Sequence, residues 1–280
     1  GVITNITYAH AKNFNTLFDI AKAKSEIIFN IKPGGTIVLN KDDKFFEFFS
    51  KLAAKNKLEV ISFGRHKNSN IRIYKIKKLR KNSEIYIKEN SKKYKFKIKN
   101  DLLSYIDNIL AALAVLKGLF LINKINTNFF LKYKIPKGRG NLKQITINKK
   151  KINILDESYN SNPLSLKFSI NKFNNLGIKS SKKFILLSDM LELGKFSKKL
   201  HIEAANDINK SSFNKLFVYG KDIIKTFNKI RTQKRGKILK TKNDIFDFLR
   251  NDLNNDDFLM IKGSNSTGLN QITKQLRTKI

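Results

Sequence analysis

Two rhythms of apolar residues run along this chain, and together they predict a mixed α/β protein. Short apolar runs bounded by Gly, Asn or Asp are typical of buried strands, whereas apolar residues spaced three and four apart predict helices. After residue 140 the two patterns alternate. Strands are predicted at 152–156, 184–187, 215–219, 237–239 and 258–261, with helices between them. This order is typical of a Rossmann-like domain, a parallel sheet covered on both faces.

The pattern before residue 135 is less regular. It predicts strands at 2–6 and 36–40 and helices at 16–28 and 44–55. Four further segments (58–63, 71–76, 84–88 and 94–98) read as short strands that pair as an antiparallel edge. The most apolar stretch, 102–122, predicts a buried helix in which the amide of Asn108 needs a partner.

A boundary is predicted where these patterns meet. The segment Ile135-Pro-Lys-Gly-Arg-Gly140 holds one Pro and two Gly in six residues, which is typical of a linker. A length of 280 residues suits two domains. We therefore predict domains at 1–136 and 137–280.

The strongest candidate site is the loop that follows the predicted strand at 152–156. There an apolar run breaks into a polar turn, and helical spacing restarts after Pro163. Polar side chains at the carboxyl end of a strand lie where open α/β sheets bind ligands. The candidates are Asp156, Glu157, Tyr159, Asn160 and Asn162. An ordinary strand-to-helix loop with a good N-cap is the alternative reading of the same residues.

Composition narrows the function classes. A formal net charge of +35 would favour a polyanion partner, but the Lys residues are scattered among abundant Asn, Ile and Phe, as A/T-rich codons would produce. A noncatalytic nucleic-acid-binding protein therefore has little support, and we expect no specific nucleic-acid partner. With no Cys and three His, any metal is expected to be oxygen-bound.

The chain is also expected to lie in the cytoplasm. No apolar run approaches the roughly 20 residues that span a bilayer, and the first residues lack the basic and apolar regions of a signal peptide. We expect no membrane insertion.

Several motifs resemble those of the Mur ligase family. Residues 156–163, D-E-S-Y-N-S-N-P, resemble the D-D-S-Y-N-A-N-P signature of the branch that joins D-alanyl-D-alanine to UDP-N-acetylmuramoyl-tripeptide. Segments similar to family motifs begin at Tyr8, Ala21, Gly34, Pro136, Ser188 and Lys262, in family order and over essentially all of the chain. The sequence departs from the family pattern at Ser104-Tyr105, Ser188 and Asn265.

The resemblance implies roles for individual residues. His10 would help to hold a magnesium ion, and Lys24 would become a carbamate near the metals, so both are the expected catalytic residues. The nucleotide-binding residues would be Asn108, Arg139, Glu157, Tyr159, Asn160 and Asn162, and the substrate-binding residues Asp189, Lys262 and Ser264. Without the resemblance, His10 is a loop residue, Lys24 a solvated helix charge and His201 a helix-face residue.

The resemblance also implies a reaction. It is the ATP- and Mg²⁺-dependent addition of D-alanyl-D-alanine to UDP-N-acetylmuramoyl-tripeptide through an acyl phosphate, a step of peptidoglycan synthesis, by an enzyme that is a monomer when full length. The alternative within the superfamily is a ligase for another amino acid or peptide. No G-x-x-x-x-G-K-[ST] loop is present. We therefore expect a partial central P-loop-type ATPase domain, lacking the P-loop, followed by a Rossmann-like C-terminal domain, and no ligase activity from this piece alone.

Overall fold

A computed structural model describes residues 1–176 and 181–278. The chain forms two compact units. The first comprises Gly1–Thr7 and Asn15–Lys134, and the second comprises Tyr8–Phe14 and Ile135–Ile280. In the described residues, no helix combines the length and the apolar character needed to cross a membrane.

The first unit is a six-stranded sheet with three helices. The strands are β1 (Val2–Ile3), β2 (Thr36–Asn40), β3 (Glu59–Gly64), β4 (Ile71–Lys78), β5 (Asn82–Glu89) and β6 (Lys92–Lys99), and the helices are α1 (Leu17–Phe29), α2 (Phe46–Lys55) and α3 (Ile106–Gly118). The strands lie in chain order. Strands β1 to β4 pair in parallel, and β4 to β6 pair antiparallel.

This topology corrects one prediction. The strand predicted at 58–63 does not join an antiparallel edge, because β3 pairs in parallel with both β2 and β4. For the β2–β3 pair the physical reason is α2, which connects the two strands and returns the chain to the end of the sheet where β2 begins, as a parallel pair requires.

Two helices of this unit place candidate residues on the surface. Thr16 caps α1 by accepting from the Asp19 N–H at 3.1 Å, while the Asp19 carboxylate accepts from the Thr16 N–H at 2.8 Å. Helix α1 buries Ile20 and Ile28, and Lys24 is exposed. Asn108 lies in the first turn of α3 and is exposed, so its amide is not the buried polar group that the apolar pattern predicted. Its contact with a nucleotide stays a prediction.

The second unit has a sheet in the order β11-β10-β9-β12-β8-β7. The strands are β7 (Asn141–Ile147), β8 (Lys150–Glu157), β9 (Lys183–Ser188), β10 (Lys215–Tyr219), β11 (Arg235–Leu239) and β12 (Phe258–Lys262). The helices are α4 (Pro163–Asn174), α5 (Ser197–Lys210), α6 (Ile223–Phe227), α7 (Lys242–Asn251) and α8 (Leu269–Thr278). The five predicted strands are present, and all pair in parallel.

Strand β7 was not predicted. It pairs antiparallel with β8 through a tight turn in which Asn148 and Lys149 have φ values of 48° and 63°. Two successive left-handed residues are typical of the hairpin turn whose twist matches that of the strands. The α/β class with two parallel-rich sheets is confirmed, with an antiparallel strand at one edge of the second sheet.

The second sheet is buried on both faces, as its apolar strands require. One core contains Leu166 of α4, Leu200 of α5 and Ile223 of α6. The other contains Phe248 of α7 and Ile272 of α8. The helices therefore cover both faces of the sheet and leave the ends of its strands uncovered.

Strand register brings the candidate loops together at the carboxyl ends of the strands. Lys262, the last residue of β12, pairs with Glu157 of β8 on one side and Leu187 of β9 on the other. The loops that follow β8, β9 and β12 therefore start side by side at the carboxyl end of the sheet, where open α/β sheets bind ligands.

Candidate functional site

The loop after β8 is locked to the turn at 136–140 by backbone hydrogen bonds. The Gly140 N–H donates to the Asp156 carbonyl at 2.7 Å, and the Tyr159 N–H donates to the Gly138 carbonyl at 3.0 Å. Gly138 has a φ of 75°, and a Cβ there would lie 3.1 Å from the Tyr159 Cβ. Glycine is therefore needed at this position for both its conformation and its size.

Arg139 and Tyr159 form a cation–aromatic pair across this junction. The Arg139 guanidinium carbon lies 4.0 Å from the centre of the Tyr159 ring. Tyr159 is 46% exposed. The pair thus presents a cation beside an accessible aromatic surface, a combination suited to a nucleotide's phosphate and base.

Lys262 is the most unusual group in the unit because it is a cation that is only 1% exposed. Its Nζ donates to the Asn160 carbonyl at 3.0 Å. Burial lowers the pKa of Lys262 to about 8, while Glu157 acts in the opposite direction and Arg139 adds to the lowering. A cation held in such a place acts on a nearby anion through a low dielectric.

Glu157 is half-buried and interacts electrostatically with Lys262. Burial raises the pKa of Glu157, and Lys262, Lys172 and a hydrogen bond from Ser169 partly offset this rise. Lys172 also donates to the Gly140 carbonyl at 2.8 Å. Glu157 thus serves as a charge partner of two lysines, and its contact with a nucleotide stays a prediction.

The two asparagines of the loop differ in their local roles. Asn162 is the N-cap of α4: its Oδ1 accepts from the Ser165 N–H at 2.9 Å, and the Ser165 Oγ accepts from the Asn162 N–H at 3.0 Å. Asn160 is exposed, and its Oδ1 accepts from the Ser161 N–H at 2.8 Å. The N-cap that the sequence allowed as an alternative reading is therefore present, in the same loop as the candidate site.

Asp189 and Ser264 tie together the four loops that follow β8, β9, β10 and β12. The Asp189 carboxylate accepts from the Lys221 N–H at 3.1 Å and the Ile223 N–H at 2.7 Å. The Ser264 Oγ accepts from the Leu191 N–H at 2.9 Å and donates to the Ser161 carbonyl at 3.3 Å. Both residues thus fix the shape of the strand-end loops, and their contacts with a substrate stay predictions.

His201 is fully buried on the inner face of α5. Its Nε2 accepts from the Met190 N–H at 3.1 Å, and its Nδ1 lies 2.8 Å from the Ser197 carbonyl. These partners require a neutral ring with the proton on Nδ1. Burial lowers the pKa of His201, which agrees with the neutral form.

The segment Tyr8–Phe14 packs on the loop after β9. The rings of Tyr8 and Phe196 are 4.9 Å apart. A Cβ on Gly194 would lie 2.7 Å from the Lys12 carbonyl oxygen. The His10 Nδ1 contacts the Glu192 carboxylate. His10 is therefore held by the second unit rather than lying in an unattached loop.

Lys24 is exposed on α1 in the first unit. Its Nζ donates to the Asn5 carbonyl at 3.3 Å. An exposed amine is accessible to carbon dioxide, as carbamate formation requires. The role of Lys24 as a carbamate stays a prediction.

A magnesium ion fits these donors only if phosphate oxygens and water complete its shell. Within residues 1–176 and 181–278, no three His, Cys, Asp or Glu side chains lie together as metal ligands. Magnesium is commonly bound by few protein groups together with substrate phosphates. The exposed His10 side chain is compatible with such a site.

Sequence reasoning missed Glu192 and Lys172. Glu192 stands inside the segment 188–194 that was singled out, but only the fold shows that its side chain meets His10. Lys172 is one lysine among many in the sequence, and its bond to the Gly140 carbonyl spans 32 residues. No periodicity could have revealed either contact.

Comparison with known proteins identifies both halves of the chain. Residues 1–116 match the family model of the Mur ligase middle domain, and residues 140–265 match that of the Mur ligase glutamate ligase domain. The UDP-N-acetylmuramoyl-tripeptide--D-alanyl-D-alanine ligase of Buchnera aphidicola (strain APS) is 30% identical over 294 residues, which cover 98% of this chain and 59% of that protein. This chain thus spans about three fifths of the length of that relative.

Solved structures show the same fold. The crystal structure of MurF from Acinetobacter baumannii has a TM-score of 0.82 at 19% identity, covering 98% of this chain and 58% of that one. The MurF ligase of Thermotoga maritima in complex with ADP has a TM-score of 0.80 at 21% identity, covering 100% of this chain and 62% of that one. The resemblance inferred from the motifs is confirmed, and the chain belongs to the Mur ligase family.

Proposed function

We propose that this chain supplies the later part of the middle domain and the C-terminal domain of a ligase that adds D-alanyl-D-alanine to UDP-N-acetylmuramoyl-tripeptide. In this assignment residues 1–136 belong to the ATP-binding domain and residues 137–280 form the C-terminal domain. Family membership supports the proposal, as does the activity named for the Buchnera relatives. A cytoplasmic location belongs to the same proposal, since ATP is available inside the cell. The proposal also takes the full-length enzyme to be a monomer.

The observation that carries the proposal is the convergence of cations on the D-E-S-Y-N-S-N-P loop. Lys262 donates to the Asn160 carbonyl of this loop, and Arg139 stacks on its Tyr159. The reaction transfers a phosphoryl group to a carboxylate, so negative charge gathers where the bonds change. Fixed cations in a desolvated site stabilise that charge.

The remaining residues have distinct parts in the proposed site. Arg139, Tyr159, Asn160 and Asn108 contact the nucleotide, Asn162 holds the α4 end of the loop, and Glu157 balances the charge of Lys262. Asp189 and Ser264 shape the loops that receive the substrate.

ATP and magnesium complete the proposal. His10 and Lys24, the latter as a carbamate, would hold the metal, which supplies charge neutralisation at the phosphates. The protein's own contribution is to place these side chains and to keep the attacking amine in line with the activated carboxyl group.

The test is an assay of a fusion in which these 280 residues follow the N-terminal part of the Buchnera relative. We expect ATP-dependent joining of D-alanyl-D-alanine to the tripeptide nucleotide by the fusion, and none by the 280 residues alone, because they contain no G-x-x-x-x-G-K-[ST] loop. Turnover by the short chain, or none by a folded fusion, would contradict the proposal. Turnover with a single amino acid in place of the dipeptide would favour another ligase of the superfamily.

A further inference from the structure

His10 and Glu192 contact each other, and both have an unfavourable backbone conformation that the stability gained from their contact does not offset. The His10 Nδ1 contacts the Glu192 carboxylate, although the two side chains are 73% and 56% exposed. An exposed ion pair contributes little to stability. Both residues also have left-handed backbones, with φ values of 55° and 63°. Such a conformation is unfavourable for a non-glycine residue.

The surrounding contacts keep both loops in this strained form. The Tyr8 and Phe196 rings pack together, and the Gly194 backbone approaches Lys12 too closely for any side chain. The molecule thus holds two unfavourable residues in place and gains little stability from their side chains. Strain of this kind is typical of residues whose position serves a function.

The chemistry of the contact decides which nitrogen of His10 is exposed to a ligand. An ionised carboxylate only accepts hydrogen bonds, so the Nδ1 of a neutral ring must carry the proton. The lone pair then lies on Nε2. Histidines that bind metals commonly donate their other N–H to a carboxylate, which fixes the tautomer and the orientation of the ring.

We propose that Glu192 is a positioning residue that holds the Nδ1–H of His10 and so presents Nε2 to a divalent cation. This inference rests on the proposed function, which makes His10 a metal-binding residue. Glu192 itself does not touch the metal. Its effect is to select the binding nitrogen before the metal arrives.

The first test reads the tautomer of His10 in the metal-free 280-residue chain by ¹⁵N NMR of the imidazoles near pH 8.5. The chain has three histidines, and two serve as internal references. His201 accepts at Nε2 and so has its proton on Nδ1, whereas His66 accepts from the Asn68 N–H at Nδ1 and so has its proton on Nε2. His10 is expected to match His201, and a match to His66 would overturn the proposal.

The Glu192→Gln variant removes the constraint with little change of shape. A glutamine amide can donate as well as accept, so His10 is no longer forced into one tautomer. We expect a mixed signal from His10 and unchanged signals from His66 and His201. Glu203→Gln is the matched control, since Glu203 is an exposed carboxylate of the same unit, paired with Lys199. An unchanged His10 signal in Glu192→Gln would overturn the proposal.

The second test follows the broadening of the His10 signal by Mn²⁺, a paramagnetic substitute for magnesium. Glu192→Gln should raise the Mn²⁺ concentration needed for half-broadening about tenfold, and Glu203→Gln should not change it. Failure of Mn²⁺ to broaden His10 in the parent chain, while the fusion still turns over, would overturn this inference and leave the proposed function intact. The expected NMR results with an inactive fusion would overturn the proposed function alone.

Discussion

The second unit contains candidate residues that are buried and bonded, whereas both candidates of the first unit lie in solvent. Lys262 and His201 are almost fully enclosed, and each has a defined hydrogen-bond partner. Lys24 and Asn108 are exposed on helices. Folding therefore fixes the Lys262 and His201 side chains in advance, whereas burial does not hold Lys24 and Asn108. Substitutions in the two units should accordingly differ in their effect on stability.

The largest effect is expected for Lys262→Met, with opposite signs for activity and stability. In the fusion, turnover should fall at least about a hundredfold, because a cation near the transferred charge is lost. The free energy of unfolding of the chain at pH 7 should rise, because a pKa lowered from 10.5 to about 8 means that burial opposes the charged form by up to about 3 kcal/mol. The loss of a partner for Glu157 offsets part of this gain. Denaturant titration and a turnover assay measure the two effects.

The pH dependence sharpens this prediction. The native pKa of Lys262 lies below that of the unfolded chain, so its destabilising effect is complete below about pH 8 and disappears as the pH rises to about 10.5. The stability difference between parent and variant should shrink over that window. Lys151→Met, at an exposed position of β8, is the control and should change neither quantity. A less stable, fully active Lys262→Met variant would contradict the comparison.

His201→Ala should lower the free energy of unfolding by about 3 kcal/mol, since it leaves a cavity and an unpaired Met190 N–H. His66→Ala, at an exposed position, should cost less than about 0.5 kcal/mol.

The pH dependence of His201 has the same sign as that of Lys262 but lies at lower pH. Burial lowers the native pKa of His201, so the unfolded chain gains a proton below about pH 6.5 that the native chain refuses. Parent stability should fall as the pH drops through that value, and this contribution should be absent in His201→Ala. If the free energy of unfolding of the parent and of His201→Ala had the same pH dependence, the buried neutral ring would be ruled out.

A smaller effect separates two asparagines. Asn162→Ala should cost about 1 kcal/mol, because it removes the N-cap of α4. Asn108→Ala should stay within about 0.5 kcal/mol in stability but raise the KM for ATP in the fusion. Thermal unfolding and steady-state kinetics measure these changes. A KM for ATP that is unchanged in Asn108→Ala would remove Asn108 from the nucleotide site.

Local pattern was enough to predict the elements that carry the site. The apolar run 152–156, the polar loop and Pro163 together predicted β8, its loop and α4. The same reasoning failed at β7, because its turn uses Asn148 and Lys149 rather than the usual Asn-Gly and so gave no hairpin signal. It also placed β3 in an antiparallel edge, since periodicity does not encode strand direction.

The contacts of the site could not be predicted because they join distant residues. Lys262 reaches Asn160 over 102 positions, and Ser264 reaches Leu191 over 73. Motif resemblance brought these residues into the candidate set, but it did not reveal that Asp189 and Ser264 hold loops together or that Glu157 is a charge partner. Those roles depend on burial and register, which only the fold provides.

The central claim is that the second unit keeps a desolvated cation ready for an anion. NMR titration of the Lys262 amine, in lysine-labelled chain with Lys262→Met for assignment, tests it most directly. The account predicts a midpoint near pH 8, and a higher midpoint when pyrophosphate is added, because a nearby anion stabilises the charged amine. A midpoint near the ordinary lysine value of about 10.4, or one that pyrophosphate does not move, would contradict the claim.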